Sequence, residues 1–264
     1  MEKSQNYLIL LPNSEGKKEG GDVDLAYRFV SNLKKYNHFI KLQPQRDLIV
    51  DEIKRVIRDS SQEELSKLFD LKGNNLKDAI TTMTALKDEE CMSAVGRMDG
   101  VMYNAIDYER LSEVKKKRFD SSTIIIDGLF GLLKPQDMIP NYKCKVSTKL
   151  FGATLAAYWR KELSGFFSYV CKDKLVIDIL PQSHRDIIKD EELNRVEIIF
   201  ATIDTKGKVK QEGHMSKKLK GEFVHYVLGF DMITKKDLKK FTHSQGHKYS
   251  EEHSSQELFV FVKK

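Results

Sequence analysis

The densest set of side chains able to do chemistry lies between residues 134 and 149. It combines cations, a carboxylate, a phenol and two prolines that fix the backbone; its members are Lys134, Pro135, Asp137, Pro140, Tyr142, Lys143 and Lys149. The segment follows a predicted strand, and loops at strand ends are where binding and catalytic sites are usually built. We therefore predict a site here. The competing structural interpretation is that Asp137 caps a helix and Tyr142 packs in the core.

A second group of lysines lies on a predicted helix in the last quarter of the chain. Apolar residues recur there every four positions from Met215 to Val227, which leaves three lysines off the apolar stripe: Lys217, Lys218 and Lys220. Residues 205–240 hold ten lysines against four acidic residues, in a chain whose net charge is +6. Clustered positive charge favours a polyanion as partner. The alternative is that these lysines only keep the protein soluble.

Gly100 begins a short stretch, ending at Ile106, that joins two predicted helices. A helix, a hairpin of small residues and a second helix can offer backbone N–H groups to a phosphate. Gly100 and Tyr103 are the candidate residues of this helix-hairpin-helix-like element, and the helix predicted at residues 108–119 carries four consecutive cations at 115–118. The alternative is an ordinary connection between helices with a solvated basic end.

Other catalytic and metal-binding patterns are weak. Gly128 and Gly131 surround a turn, but the third glycine of a dinucleotide fold and the Gly-Lys-Ser of a phosphate loop are missing. Ser183 and His184 are adjacent but form no nucleophile elbow. We predict no cofactor. A weaker hypothesis of iron handling depends on a cluster near the end of the chain: His243, His247, His253, Glu251 and Glu252.

The composition excludes several classes of protein. Hydrophobic residues make up 40% of the chain, and no stretch approaches the roughly 20 apolar residues that cross a bilayer. The cysteines at 91, 144 and 171 are odd in number and lack a repeated spacing, which argues against a disulfide framework and a zinc ribbon. The apolar run at residues 7–11 is too short for an export signal. We therefore expect a cytoplasmic protein with no membrane partner, and favour a monomer.

The elements that must position these residues are both strands and helices. Apolar and β-branched runs predict strands at residues 7–11, 122–127, 174–180, 195–203 and 258–262, and a return strand beginning at Val209. Periodic spacing predicts further helices at 22–37, 48–58, 61–69, 76–86, 89–98, 155–171 and 235–241. Strands from both ends of the chain joining one sheet would make residues 1–264 a single mixed α/β domain, with a central mixed sheet and helices around it.

At these motifs the sequence resembles the YaaA family of peroxide-stress-resistance proteins. Residues 128–137 read Gly-Leu-Phe-Gly-Leu-Leu-Lys-Pro-Gln-Asp, similar to the family's Gly-Leu-Tyr-Gly-x-Leu-Arg-Pro-x-Asp, and Tyr142-Lys143 and Thr148-Lys149 follow at the matching distances. Residues 216–221 resemble its Ala-Lys-Lys-Ala-Arg-Gly, and residues 100–106 resemble its Gly-x-Val-Tyr-x-Gly-Leu. The likeness covers nearly the whole chain and keeps its order.

The resemblance implies a single α/β domain with a positively charged cleft and a helix-hairpin-helix-like element. It also implies DNA binding and a role in limiting oxidative damage, with lower free intracellular iron. The family's Ser-Pro-Ala-Lys near the N-terminus is replaced here by Leu11-Pro12-Asn13-Ser14, with Lys17 and Lys18 further along. Its basic motifs survive better than its carboxylates, which favours polyanion binding over acid–base catalysis.

Two functional hypotheses follow. In the first, a cytoplasmic stress protein binds DNA with low sequence specificity and Tyr142 stacks on an unpaired base; the cations that contact phosphates are Lys134, Lys143, Lys149, Lys217, Lys218 and Lys220. In the second, an enzyme acts on a nucleotide or nucleobase in the same cleft, with Asp137 as acid or base. The first needs the middle and the late lysines to meet in one cleft.

Overall fold

Strands from every part of the chain pair in one central sheet or in small ribbons beside it. The computed structural model describes residues 5–189, 191–204, 208–211 and 213–263. Its strands are β1 (Tyr7–Pro12), β2 (Gly16–Lys17), β3 (Asp22–Ala26), β4 (Glu90–Ser93), β5 (Met98–Asp99), β6 (Thr123–Asp127), β7 (Gly131–Leu133), β8 (Met138–Ile139), β9 (Lys149–Leu150), β10 (Ala153–Thr154), β11 (Leu175–Asp178), β12 (Arg195–Ile203), β13 (Val209–Gln211), β14 (Lys248–Tyr249) and β15 (Leu258–Lys263).

Helices surround this sheet. They are α1 (Tyr27–Val30), α2 (Gln43–Asp59), α3 (Gln62–Phe69), α4 (Gly73–Ala85), α5 (Ala94–Arg97), α6 (Val101–Ile106), α7 (Glu113–Ser122), α8 (Leu155–Glu162), α9 (Phe166–Val170), α10 (Gln182–Arg185), α11 (His214–Val227) and α12 (Lys235–Lys239), with 3-10 turns at Ile40–Leu42 and Tyr108–Arg110. Within the described ranges, none of these helices is both long and apolar enough to cross a membrane.

The central sheet is mixed. Among the described residues it has eight strands, in the order β14-β15-β12-β11-β1-β6-β7, with β13 beside β12. Strands β1, β6, β11, β12 and β15 run parallel, and β7, β13 and β14 run antiparallel to their neighbours. This architecture confirms the predicted mixed α/β class. Because parallel strands end on the same side of a sheet, we call the side at Pro12, Asp127 and Asp178 the carboxyl edge, and the opposite side the amino edge.

The turn between β6 and β7 depends on two glycines at positions where a neighbouring group leaves no room for a Cβ. Gly131 has a φ of +70°, and a Cβ there would lie 2.7 Å from the ring of Trp159. A Cβ on Gly128 would lie 2.7 Å from the carbonyl carbon of Lys145. The buried guanidinium of Arg46 donates hydrogen bonds to the carbonyl groups of residues 130 and 132, at 2.9 and 2.7 Å. The turn therefore sends β7 back along β6 toward the amino edge.

Two helices predicted in the first hundred residues are wrong. Residues 22–37 form β3 and then the four-residue α1, and residues 89–98 contain β4, α5 and the start of β5. Strands β3 and β4 pair antiparallel, with Asp22 opposite Cys91. The four-residue spacing of Leu25, Phe29 and Leu33 marks no buried face, because Phe29 and Leu33 are 58% and 44% exposed.

Candidate functional site

An open cavity of about 510 Å³ lies at the carboxyl edge. Its walls come from the loop after β1, from residues 141–148, from α10 and from the side of α4; the lining includes Asn13, Lys17, Asn75, Asp78, Asn141, Lys143, Thr148, Ser183 and His184. The carboxyl ends of parallel strands are the usual place for a ligand site in an α/β protein. Its size is that of a small-molecule pocket.

Lys17 is the buried cation of this cavity. Strand β2 holds it beside β5, where Gly16 is needed because a Cβ there would lie 2.6 Å from the carbonyl oxygen of Asp99. The ammonium group donates to the Ser14 carbonyl and lies 4.3 Å from the ring centroid of Tyr142. Burial lowers the pKa of Lys17 to about 8 against the opposing pull of the Asp127 charge. Its amine is thus far easier to deprotonate than that of an exposed lysine.

Asp127 and Tyr142 form a fully buried pair next to Lys17. Asp127 ends β6, and one carboxylate oxygen accepts from the N–H groups of Leu129 and Phe130 at 2.7 and 2.9 Å. The other oxygen accepts the hydroxyl hydrogen of Tyr142. Burial raises the pKa of the Asp127 carboxyl, and burial together with the Asp127 charge raises the pKa of the Tyr142 phenol. Tyr142 therefore supports Lys17 and presents no exposed ring face on which a base could stack.

A chain of three polar side chains forms another wall. Ser183 Oγ lies 3.2 Å from His184 Nδ1, and His184 Nε2 lies 2.7 Å from Asn13 Oδ1. Burial, and then the Lys17 charge, lower the pKa of His184 to about 4, so its imidazole is neutral at neutral pH. Asp178 takes no part, because its carboxylate binds Arg185 at 2.8 Å.

The lysines predicted to contact phosphates are partly brought together. Lys143 is half-buried in the cavity wall, and Lys149 is exposed on β9, directly after Thr148 of that wall. Lys220 was expected off the apolar stripe, but it is buried and donates to the Ile179 carbonyl at 2.9 Å, just beyond β11. Burial lowers the pKa of Lys220 to about 8.

The other lysines of α11 are exposed, and they differ in their partners. Lys217 lies one turn before Lys220, on the same side of the helix. Lys218 lies 3.9 Å from Glu222 in an i,i+4 ion pair. The first turns of α11 therefore approach the carboxyl edge from the side of β11, whereas residues 143–149 approach it from the side of β6.

Lys134 and Asp137 lie at the amino edge, away from this cavity. The Lys134 ammonium donates to the carbonyls of Ser121 and Thr123 at 2.9 and 3.1 Å. The Asp137 carboxylate accepts from the backbone N–H groups of His38 and Lys134, both at 2.8 Å, and lies 2.6 Å from His38 Nδ1. It adjoins a space of only about 10 Å³, too small for a substrate. Asp137 thus anchors the backbone at residues 38 and 134, and since neither lies in a helix it does not form the helix cap of the structural alternative.

Gly100 and Tyr103 hold the loop after β1. Gly100 lies between β5 and α6, with Ser14 Oγ 2.5 Å from the position of a Cβ. Tyr103 is buried in α6, and its hydroxyl donates to the Pro12 carbonyl at 2.9 Å. The predicted hairpin is therefore a helix from Val101 onward, and these two residues act on the cavity through that loop.

The histidines near the end of the chain are engaged with protein groups. His243 Nε2 binds the Glu222 carboxylate, and Nδ1 accepts from the Gln245 N–H at 3.0 Å. His253 lies 3.9 Å from Glu252. In the part of the chain that the structure describes, no group of three or more His, Cys, Asp or Glu side chains is placed to hold a metal ion.

Four residues of this site were not predicted from the sequence as site residues: Asn13, Lys17, Asp127 and His184. A usable signal was present for two of them, because Asn13 and Asp127 come at the ends of the apolar runs that became β1 and β6. Polar residues that follow neighbouring parallel strands meet at the carboxyl edge. Lys17 and His184 carry no such signal, since their positions depend on how β2 and α10 pack.

Residues 8–253 match the family described as peroxide stress protein YaaA. A UPF0246 protein of Rickettsia conorii is 26% identical over 249 residues, which cover 89% of this chain and 98% of that protein. A UPF0246 protein of Rickettsia africae is 27% identical over 249 residues, which again cover 89% of this chain and 98% of that protein. A UPF0246 protein of Rickettsia bellii is 26% identical over 220 residues, which cover 81% of this chain and 88% of that protein. The predicted resemblance is confirmed, and the chain belongs to the peroxide stress protein YaaA family.

Proposed function

We propose that this protein acts in the oxidative stress response by binding DNA at the carboxyl edge of its sheet, where it limits damage. The observation that supports the proposal is that cations from separate segments lie toward the carboxyl edge: Lys143 lines the cavity, Lys149 follows Thr148 of its wall, and Lys217 lies one turn before Lys220, which reaches the carbonyl just beyond β11. Lys143, Lys149 and Lys217 have no ion-pair partner among the described residues. Unpaired ammonium groups around an opening attract a phosphate chain and release its counterions on binding.

The charges that line the cavity are balanced, so the interior and the rim are suited to different parts of a nucleic acid. Three lysines of its lining, at 17, 143 and 145, face three carboxylates, at 15, 19 and 78. Lys145 is further neutralised by Asp70 at 3.0 Å. An interior of this kind does not select a phosphate. We therefore place the phosphates at the rim, and a base or sugar inside.

Binding of this kind has a defined signature. Lysine contacts to phosphates carry little information about base sequence, so unrelated sequences should bind about equally. Affinity should fall steeply with salt, because each neutralised phosphate contributes a slope of about 0.9 in the logarithm of the binding constant against that of salt.

The test compares two double variants by fluorescence anisotropy on duplex, single-stranded and branched DNA over a range of salt. Lys149→Ala with Lys217→Ala removes two rim charges, and we expect the salt slope to fall by about 2 on every sequence. Lys172→Ala with Lys236→Ala is the matched control, since both lysines are exposed and lie near the amino edge. Absence of binding to all three DNA forms at low salt, or an equal loss in both variants, would contradict the proposal.

The alternative of an enzyme acting on a nucleotide or nucleobase with Asp137 as acid or base has weaker support. Asp137 is saturated by backbone donors and has no space for a substrate beside it. Reactive groups that border a cavity are instead found at the carboxyl edge, around Lys17. Catalysis by Asp137 would require Asp137→Asn to abolish turnover of a nucleotide while the protein stays folded.

A further inference from the structure

Lys17 combines burial with access to a cavity. Its side chain is 8% exposed, and lysine is rarely buried to this degree without a carboxylate partner. Among the described residues no carboxylate lies within ion-pair distance, and the contacts of the ammonium group are the Ser14 carbonyl and the face of Tyr142. Lys17 nevertheless lines the cavity of about 510 Å³. A structural role alone does not explain why a lysine without a carboxylate partner is buried at the wall of a cavity.

The surroundings of Lys17 favour the neutral amine, which is the nucleophilic form. At pH 8 about half of an amine with a pKa near 8 is deprotonated, against under about 1% of an ordinary lysine. The titratable groups whose charges act on Lys17 are Asp127, Lys143, Cys144 and Glu15, and Lys17 in turn acts on His184. Its pKa of about 8 results first from burial, which outweighs the attraction of Asp127.

Two other lysines show that burial alone does not make a site. Burial also lowers the pKa of Lys134 and of Lys220 to about 8. Lys134 donates to two backbone carbonyls at the amino edge, and Lys220 donates to the Ile179 carbonyl. Neither contributes to the lining of the large cavity. Geometry therefore singles out Lys17 as the amine that a ligand can reach.

We propose that Lys17 forms an imine with the aldehyde of an open-chain sugar held in this cavity. Amide and hydroxyl groups that suit the hydroxyls of a sugar surround the space: Asn75, Thr82, Asn141, Ser147 and Thr148. The aldehyde belongs either to the deoxyribose of a DNA position that has lost its base, or to a free sugar. The first source rests on the proposed DNA binding, whereas the second does not.

The reaction is balanced without a further reactant. The neutral Nζ of Lys17 attacks the carbonyl carbon, a C–N bond forms, and the carbonyl oxygen takes up the proton that the nitrogen releases. The resulting carbinolamine then loses its hydroxyl group with a second nitrogen-bound hydrogen as water. The product is the imine, and no group is oxidised or reduced.

The test is reductive trapping with sodium borohydride, which converts an imine to a stable secondary amine. The full chain is incubated with a duplex carrying one abasic position, with the intact duplex, or with free 2-deoxyribose. The adduct is detected on a denaturing gel or by mass, and the modified lysine is identified by peptide mapping. We expect an adduct on Lys17 with the abasic duplex and none with the intact duplex.

Variants separate the role of Lys17 from a folding defect. Lys17→Arg keeps the charge but forms no stable imine, so we expect a folded protein that gives no adduct. Lys134→Met removes a half-buried amine from the amino edge, whose pKa burial also lowers to about 8, and we expect it to keep the adduct. Mapping of the wild-type adduct needs no variant and decides the case if Lys17→Arg fails to fold.

Each outcome bears on one claim. An adduct on Lys17 with free 2-deoxyribose alone supports the imine and rules out DNA as the source of the aldehyde. No adduct on Lys17 with either aldehyde, or trapping only at other lysines or at the N-terminal amine, overturns the proposal. Binding of intact duplex, measured without borohydride, tests the proposed function independently.

Discussion

The two edges of the sheet hold the same kinds of residue and use them differently. At the amino edge, Lys134 and Asp137 are bonded to backbone groups and adjoin almost no free space. At the carboxyl edge, Lys17 and Asp127 are also buried, but Lys17 faces a cavity of about 510 Å³. Residue type and burial therefore do not distinguish an anchor from a site. The distinguishing feature is whether a polar atom faces space that a ligand can enter.

The largest effect that tests this difference between the two edges is expected at the amino edge. Asp137→Ala leaves three donors without their acceptor: the N–H groups of His38 and Lys134, and His38 Nδ1. We expect the free energy of unfolding, measured by urea denaturation, to fall by about 3 kcal/mol. DNA binding by the folded protein should not change. Asp137→Asn is the control, because an amide oxygen still accepts some of these bonds and the loss should be smaller. Weaker DNA binding by folded Asp137→Ala would show that this edge does contribute to the site.

The same variant should show a dependence on pH. The hydrogen bond to Asp137 raises the pKa of His38 above its usual value. The stability from this pair is therefore fully present below the pKa of an unfolded histidine and is lost as pH rises through the raised value. We expect the difference between wild type and Asp137→Ala to be larger at pH 5.5 than at pH 9.

A smaller effect of opposite sign is expected at the carboxyl edge. Lys17 is held charged in a poorly hydrated place, so Lys17→Met should raise the free energy of unfolding at pH 7 by about 2 kcal/mol. Between the folded pKa of about 8 and the higher unfolded value, the unfolded wild type binds more protons. Wild-type stability then rises with pH, and the advantage of Lys17→Met shrinks by pH 9.5.

The control for this prediction is Lys172→Met, which removes an exposed lysine and should change the free energy of unfolding little at either pH. A lower stability of Lys17→Met at pH 7 would mean that Lys17 is an anchor like Lys134, and the contrast between the edges would fail.

The smallest effect is expected in the loop that carries Lys17. In Gly100→Ala the new methyl group meets the hydroxyl of Ser14, which can rotate away, so the loss of stability should stay below about 1 kcal/mol. We expect slower imine trapping, because Ser14 also accepts the hydrogen bond from Lys17. A melting temperature far below that of wild type would show that this loop supports the fold as well as the site.

The sequence predicted the central strands well, because β1, β6 and the partly buried β12 read as apolar or β-branched runs. Helix α11 also lies where its spacing predicts it. Residues 22–26 were missed because the pairing of β3 with β4 overrides a local helical spacing. Residues 155–171 form two helices because Gly165 adopts a φ of +72° between them.

The site was predicted less completely, for a physical reason. Lys143, Tyr142 and Tyr103 do lie at or behind the cavity. Lys134 and Asp137 do not, because the turn after β6 carries β7 antiparallel, toward the opposite edge. The position of Lys17 depends on the pairing of β2 with β5, which are only two residues long and leave no periodic pattern in the sequence.

Because β7 runs antiparallel to β6, the two halves of the segment from Lys134 to Lys149 lie at opposite edges of the sheet and have different roles. Its first half is anchored at the amino edge by Asp137. Its second half lies at the carboxyl edge, where Lys143 lines the cavity and Tyr142 is buried behind it on Asp127. A motif that is continuous in sequence is here divided in space. A substitution at Asp137 therefore acts on the stability of the first half and leaves the contacts of the second half in place.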